Sequence, residues 1–125
     1  MIKFANQGSD MKYFLTEAER KASNSTCYHE FLKGKWDEDT MAFWNEESLN
    51  IHDDFMVALG LDRLILNIVE DYNPYGETEI NAGQWKRICT EAEKTGGNLL
   101  EAIRELAPWA EDNFAQNSVF TILGI

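Results

Sequence analysis

Residues 39–60 read DTMAFWNEESLNIHDDFMVALG, and the spacing of the apolar side chains in this stretch predicts a helix. Asp39 is a suitable N-cap, and Gly60 is a suitable stop. Between them, apolar or small residues recur at alternating steps of three and four: Met41, Trp44, Ser48, Ile51, Phe55 and Ala58. The stretch therefore predicts a helix of about five turns, with Trp44 and Phe55 facing inward.

Carboxylates occupy the opposite face of this predicted helix. Asp39, Glu46 and Asp53 lie seven residues apart, with Glu47 and Asp54 beside them. A continuous helix would arrange these side chains in a stripe that advances about 10 Å per heptad. We therefore expect an acidic helix face turned toward solvent.

The neighbouring segments also favour helices. In the N-terminal part, capping candidates at Ser9 and Asp10 precede apolar residues at helical spacing: Met11, Phe14, Leu15, Ala18 and Ala22. Residues 61–72, LDRLILNIVEDY, place their apolar residues on one broad face, which predicts a central helix that is buried on most sides. The C-terminal end of a helix disfavours negative charge, so Glu70 and Asp71 at the C-terminal end of this predicted helix are unfavourable for local stability.

Three more helices are predicted in the last third of the chain. Asn81 with Gln84, and Asn98 with Glu101, have the spacing of capping boxes. Pro108 is placed to restart a short helix. The final residues, VFTILGI, are rich in β-branched side chains and must be buried, so we expect an extended tail that packs on the helices and could pair with the N-terminal MIKF.

The predicted fold class is mainly α. A chain of 125 residues suits one domain, and its 44% hydrophobic content is that of an ordered protein. We therefore expect a single-domain, compact helical bundle over residues 1–125, with about five to seven helices and a short extended C-terminal segment.

The net charge restricts the class of partner. With 22 acidic and 11 basic residues, the formal charge is −11. Such a charge repels nucleic-acid phosphates and anionic lipid headgroups, whereas it attracts a cationic protein. We expect neither a nucleic-acid nor a membrane partner. The alternative is that the acids only keep the protein soluble.

Sequence signals for the compartment agree with a cytoplasmic protein. The start, MIKFANQGSDMKYF, lacks the apolar core of a secretory signal, and no later window holds 18 apolar residues for a membrane span. Cys27 and Cys89 are too few for a disulfide framework, so reduced and mostly buried thiols are expected.

Signals for catalysis are weak. His52, Asp53 and Asp54 are similar to the His-Asp pair of metal-dependent phosphohydrolases, but the remaining ligands of such a site are missing. Three adjacent side chains on a helix also point in different directions. We therefore predict no catalytic residues, no metal, no cofactor and no enzymatic activity, and keep a metal-dependent hydrolase at these three residues as an alternative.

The candidate partner-binding residues are acids and tyrosines in two regions, one within residues 37–54 and one in the turn-rich segment DYNPYGETE. Tyrosine offers a large contact area at a low entropic cost, and it is enriched in interfaces. A solvated polar surface is the alternative interpretation. The candidates are Asp37, Glu38, Glu46, Glu47, Asp53, Asp54, Glu70, Asp71, Tyr72, Tyr75, Glu77 and Glu79.

Four segments resemble immunity proteins of bacterial contact-dependent growth inhibition and related polymorphic toxin systems. They are WDEDTMAFWN, SLNIHDDFMVALGLDRLILNIVEDYNPYGETEI, QWKRI and FTILGI, which span most of the chain from about residue 36 to the end. The segments are similar in particular to the group paired with ribonuclease A-like toxin domains.

This resemblance implies a small, cytosolic, mainly helical protein that binds the toxin domain one-to-one and blocks its active site or substrate groove. The carboxylates would then replace RNA phosphates in a cationic groove, and Tyr72 and Tyr75 would be anchors. An acidic nucleic-acid mimic that inhibits a host protein has the same kind of surface and stays open as an alternative.

Overall fold

The structure, a computed structural model, describes residues 11–125, and within them five strands form one antiparallel sheet accompanied by five helices. The fold is α/β, so the prediction of a mainly α helical bundle is wrong. The predicted caps at Ser9 and Asp10, and the predicted pairing of MIKF, concern residues 1–10 and lie outside the described residues.

Strands and helices are interspersed along the chain. The strand order in the sheet is β1-β3-β2-β5-β4, and every neighbouring pair is antiparallel. In chain order the elements are β1 (Phe14–Thr16), α1 (Glu17–Ser23), β2 (Tyr28–Lys33), β3 (Leu49–His52), α2 (Asp53–Ala58), α3 (Leu61–Ile68), β4 (Glu77–Asn81), α4 (Ala82–Thr95), α5 (Gly97–Phe114) and β5 (Val119–Leu123).

The helix predicted over residues 39–58 is wrong. Residues 34–48 form an irregular loop, β3 follows, and only α2 is helical. The backbone φ is 52° at Met41 and 64° at Trp44, and such left-handed residues cannot continue a right-handed helix. The predicted acidic stripe is therefore broken, because Glu46 lies in the loop whereas Asp53 begins α2.

The N-terminal helix is also shorter than predicted. Strand β1 occupies the first part of that segment, and α1 begins after Thr16, whose hydroxyl accepts a hydrogen bond from the Glu19 amide. The Glu105 carboxylate of α5 accepts hydrogen bonds from the amides of Lys12, Tyr13 and Phe14. In a helix, backbone carbonyl groups of the same helix would accept the hydrogen bonds of these amides. Here the Glu105 carboxylate accepts them instead, beside the edge strand β1.

Helix α3 confirms part of the predicted central helix. Leu61, Ile65 and Ile68 are buried, but the helix ends at Ile68. Glu70 and Asp71 therefore lie in the following turn, and the argument from an unfavourable helix end does not apply to them.

Different parts of the chain pack on the two faces of the sheet. On one face, Phe14, Phe31 and Phe120 are at most 1% exposed, and Phe120 meets Trp85 of α4 and Trp109 of α5 at ring-centroid distances of 6.0 and 5.3 Å. The helices thus cover this face. By strand alternation, Glu30 and Asn50 face the other side, where the 34–48 loop packs.

Signals from the last third of the chain are confirmed in part. Asn81 and Gln84 form the predicted capping box at the start of α4. The second box is wrong, because α5 begins at Gly97, before Asn98, and Pro108 lies inside this helix. The C-terminal segment is extended as predicted, but it is an internal strand of the sheet.

Two smaller predictions can be compared with the structure. The prediction of mostly buried thiols is wrong for Cys27, which is exposed, whereas Cys89 is half-buried; both thiols are free. Within residues 11–125, every helix is too short or too polar to cross a lipid bilayer.

Candidate acidic interface

Strand β4 presents carboxylates on one face of the sheet edge. Its burial alternates strictly: Glu77 and Glu79 are exposed, whereas Thr78 and Ile80 are buried. The strand pairs with β5 on one side and lies at the edge of the sheet on the other. Since residues two apart in a strand share a face, the two glutamates project together, about 6.8 Å apart along the strand.

These glutamates line an open groove. Its volume is about 410 Å³, and it contains Asp71 from the preceding turn, Glu77, Glu79 and Val119 from the start of β5. We call this feature the acidic groove. Three of the twelve predicted partner-binding residues thus lie along one depression.

The 34–48 loop brings a fourth carboxylate to the same region. Partial desolvation raises the pKa of the Glu77 carboxyl above its ordinary value, and the charges of Glu38 and Glu79 raise it further. Glu38, which is far from Glu77 in sequence, is therefore close enough to repel it. We call the acidic groove together with Glu38 and the exposed Tyr75 the acidic surface.

Tyr75 is displayed by a turn that the end of the chain supports. The Asn73 carboxamide oxygen accepts a hydrogen bond from the Tyr75 amide at 2.9 Å, and the Gly124 amide donates to the Gly76 carbonyl at 2.8 Å. The Tyr75 side chain is 78% exposed. A large aromatic side chain on a fixed turn is thus available for contact.

Tyr72 does not contribute to this surface. Its side chain is 7% exposed and belongs to the hydrophobic core. Burial raises the pKa of Tyr72 to about 12, with further contributions from the charges of Asp62 and Asp53. Of the two predicted tyrosine anchors, only Tyr75 can meet a partner without rearrangement of the core.

The remaining predicted residues are dispersed. Asp37 is exposed and accepts a hydrogen bond from the Asp39 amide, and Glu70 is exposed in the turn after α3. Glu46 and Glu47 are exposed at the end of the loop. None of these four carboxylates lines the acidic groove.

Of the three residues of the metal-site alternative, His52 and Asp54 lie together, with His52 Nδ1 3.7 Å from an Asp54 carboxylate oxygen, whereas Asp53 pairs with His29. His52 Nδ1 accepts a hydrogen bond from the Asp54 amide, and the Asp53 carboxylate lies 2.8 Å from Nε2 of the buried His29. Asp54 is exposed at the start of α2. In the described part of the chain, no three His, Cys, Asp or Glu side chains are arranged to hold a metal ion.

Sequence reasoning missed the exposed apolar residues of the 34–48 loop. Met41 is 59% exposed, although the helical pattern turned it inward, and Phe43 is 48% exposed. The available signal was turn chemistry, because the Asp37 and Asn45 side chains accept hydrogen bonds from amides two residues ahead. Those Asx turns mark a loop in a stretch whose apolar spacing imitates a helix.

The fold and this site define an α/β protein with an acidic, aromatic-bearing surface at one edge of its sheet. Exposed aromatic side chains such as Tyr75 are enriched in protein interfaces, and clustered carboxylates are complementary to a cationic surface. Comparisons of the chain with protein-family models, with curated proteins and with solved structures find no match.

Proposed function

We propose that this protein is a cytoplasmic immunity protein that neutralises a cationic toxin domain, a ribonuclease, of a contact-dependent growth inhibition system. It binds the toxin one-to-one through the acidic surface and blocks the active site or substrate groove. The supporting observation is the convergence of Glu38, Asp71, Glu77 and Glu79 from three separate segments, together with the exposed Tyr75 in the turn before β4.

The chemistry of a nuclease explains why such a surface would bind it. A ribonuclease holds RNA phosphates with lysine, arginine or histidine, and these side chains pair equally well with carboxylates. Glu77 and Glu79 project from the same face of one strand, so their spacing is fixed before the partner arrives. Tyr75, which is exposed in the turn that leads into β4, adds aromatic contact area.

The crowding of the carboxylates also favours a functional surface over a merely solvated one. Glu77 lies near two further carboxylates, and this repulsion works against the folded state of the free protein. A cationic partner relieves the repulsion. Because the carboxyl must be ionised for pairing, affinity decreases as the pH falls through the raised pKa of Glu77.

The test uses the C-terminal domain of an exported toxin encoded by the upstream reading frame, with binding kinetics measured at several salt concentrations. Wild-type association should slow steeply with salt. The double variant Glu77→Lys/Glu79→Lys should associate at least about tenfold more slowly and should no longer protect cells that express the toxin.

A matched control separates the local effect from the change in net charge. Glu93→Lys/Glu111→Lys changes two exposed helical carboxylates and adds the same charge. Its association should slow much less than that of the groove variant. Equal losses in the two variants, or no binding by the wild type, contradict the proposal, and capture of a host nucleic-acid-binding protein instead would favour the mimic.

A further inference from the structure

The 34–48 loop holds large apolar side chains in solvent. Phe43 is 48% exposed and Met41 is 59% exposed, and the rings of Trp36 and Phe43 lie 5.3 Å apart. Phe43 also lines a small cavity of about 170 Å³ with the end of β5 at Leu123. The apolar tip of the loop is therefore located on the sheet rather than extended away from it.

A buried carboxylate fixes the loop. Glu30 on β2 is 1% exposed, and it accepts hydrogen bonds from the amides of Trp44 at 2.7 Å and Asn45 at 2.8 Å and from the Ser48 hydroxyl at 2.7 Å. Hydrogen bonds to an ionised acceptor are stronger than those between neutral groups. Glu30 thus fixes the second half of the loop to the sheet.

A buried cation holds the same loop from its other side. The Arg20 guanidinium stacks on the Trp44 ring at 3.9 Å, and its Nε and Nη2 donate to the Glu17 carboxylate at 2.8 and 2.6 Å. Arg20 is 7% exposed. Trp44 is consequently restrained through both its amide and its ring.

The loop backbone is strained where these contacts act. Trp44 and Met41 both adopt the left-handed region, with φ of 64° and 52°, which β-carbon-bearing residues seldom occupy. Such conformations persist where surrounding contacts over-determine them, and they concentrate in ligand-binding segments. The strain at Trp44 coincides with its hydrogen bond to Glu30.

We propose that the 34–48 loop is a preorganised recognition loop whose Phe43 and Met41 insert into an apolar pocket, rimmed by lysine or arginine, on the toxin domain, and that Glu30 is the positioning residue for this loop. This inference rests on the proposed function. Charge complementarity argues for a basic rim, because carboxylates flank the apolar tip at Asp37, Glu38, Asp39, Glu46 and Glu47.

Preorganisation gives the loop its affinity. A flexible loop loses conformational entropy on binding, whereas a loop that is already fixed loses little. The apolar tip then supplies slow dissociation, and the acidic groove supplies fast association. The two parts of the surface thus act on different rate constants.

The first experiment compares Phe43→Ala and Met41→Ala with Leu66→Ala, a control residue that is 50% exposed on α3. Dissociation of the toxin domain should be about 30-fold faster for Phe43→Ala, with association unchanged, and close to wild type for Leu66→Ala. Equal rates for Phe43→Ala and Leu66→Ala overturn the inference, while loss of binding in Glu77→Lys/Glu79→Lys still upholds the proposed function.

The second experiment tests Glu30 without the partner. Glu30→Gln keeps the shape but places an amide donor among the loop's donors, so hydrogen exchange at the Trp44 and Asn45 amides should accelerate at least about tenfold while α4 is unchanged. Unchanged exchange at these two amides overturns the role of Glu30. Ser48→Ala, which removes one of the three bonds, is the milder variant if Glu30→Gln does not fold.

A double-mutant cycle joins the two experiments. If Glu30 acts by positioning Phe43, Glu30→Gln should weaken binding strongly in the wild type and little in the Phe43→Ala background. Additive losses indicate that Glu30 acts independently of the loop tip and overturn its positioning role. If the wild type does not bind the toxin domain, both the proposed function and the role of the 34–48 loop in binding are overturned. The hydrogen-exchange measurement then still tests whether Glu30 fixes the loop.

Discussion

Asn113 is fully buried in α5, and its carboxamide connects the start of the 34–48 loop to the start of β5. Its oxygen accepts a hydrogen bond from the Gly34 amide at 2.9 Å, and its nitrogen donates to the Val119 carbonyl at 3.1 Å. Glu30 and Glu105 act in the same way on other segments. A buried backbone N–H or C=O group without a hydrogen-bond partner lowers the stability of the fold. Each of these three side chains supplies such partners and thereby stabilises an ordered conformation of the segment that it contacts.

The buried Tyr72 hydroxyl predicts how stability depends on alkaline pH. Its pKa is raised from 10.0 to about 12, so the unfolded state loses this proton first, and the free energy of unfolding falls as pH rises through that window. The contribution is fully present below pH 10 and is lost as the pH rises toward 12. Denaturant unfolding of Tyr72→Phe should therefore show a flatter decline than wild type between pH 10 and pH 12.

Two further variants isolate this effect. Tyr75→Phe, at an exposed position, should decline like the wild type. Burial also raises the pKa of the Cys89 thiol from 9.0 to about 11, so Cys89→Ala should flatten the decline at somewhat lower pH. Parallel curves for Tyr72→Phe and the wild type would contradict the assignment to Tyr72.

Among the elements, the helices with local signals could be predicted from the sequence. The apolar face of α3 and the capping box of α4 are properties of a few adjacent residues. Strand β3 gives no such signal, because Leu49, Asn50 and Ile51 are all buried and the alternation typical of a half-exposed strand is absent. Its identity depends on pairing with β1 and β2.

The candidate site, like the secondary-structure elements, could be predicted from the sequence only in part. The acids and Tyr75 were recognisable as residue types, but their convergence required the pairing of β4 with β5 and the return of the 34–48 loop. Tyr72, which was expected to contact a partner, is buried, whereas Phe43, which was not among the candidates, is exposed. The helical periodicity turned Met41 and Phe55 inward, whereas their side chains are 59% and 39% exposed.

The two predicted capping boxes can be compared directly by mutation. Asn81→Ala should lower the free energy of unfolding by about 1 kcal/mol, because the Gln84 amide loses its acceptor. Asn98→Ala should change it by less than about 0.5 kcal/mol, because Asn98 is exposed inside α5. Urea unfolding of both variants measures the difference, and a larger loss for Asn98→Ala would contradict the observed start of α5.

At the scale of the whole molecule, the excess of negative charge opposes compaction. With a formal charge of −11, self-repulsion should be screened by salt, so the melting temperature should rise between about 0.02 M and about 0.5 M sodium chloride. Circular dichroism measures this shift. The rise should be smaller for Glu93→Lys/Glu111→Lys, and a melting temperature that falls with salt would indicate that ion pairs outweigh the repulsion.

Strand β5 lies between β2 and β4, two strands that have no pairing with each other. On the ribosome, β2 and β4 emerge long before their common neighbour, so the five-stranded order cannot be completed until residues 119–123 have been translated. Val119 also lines the acidic groove. A nascent chain therefore has no complete acidic groove until this strand has been synthesised.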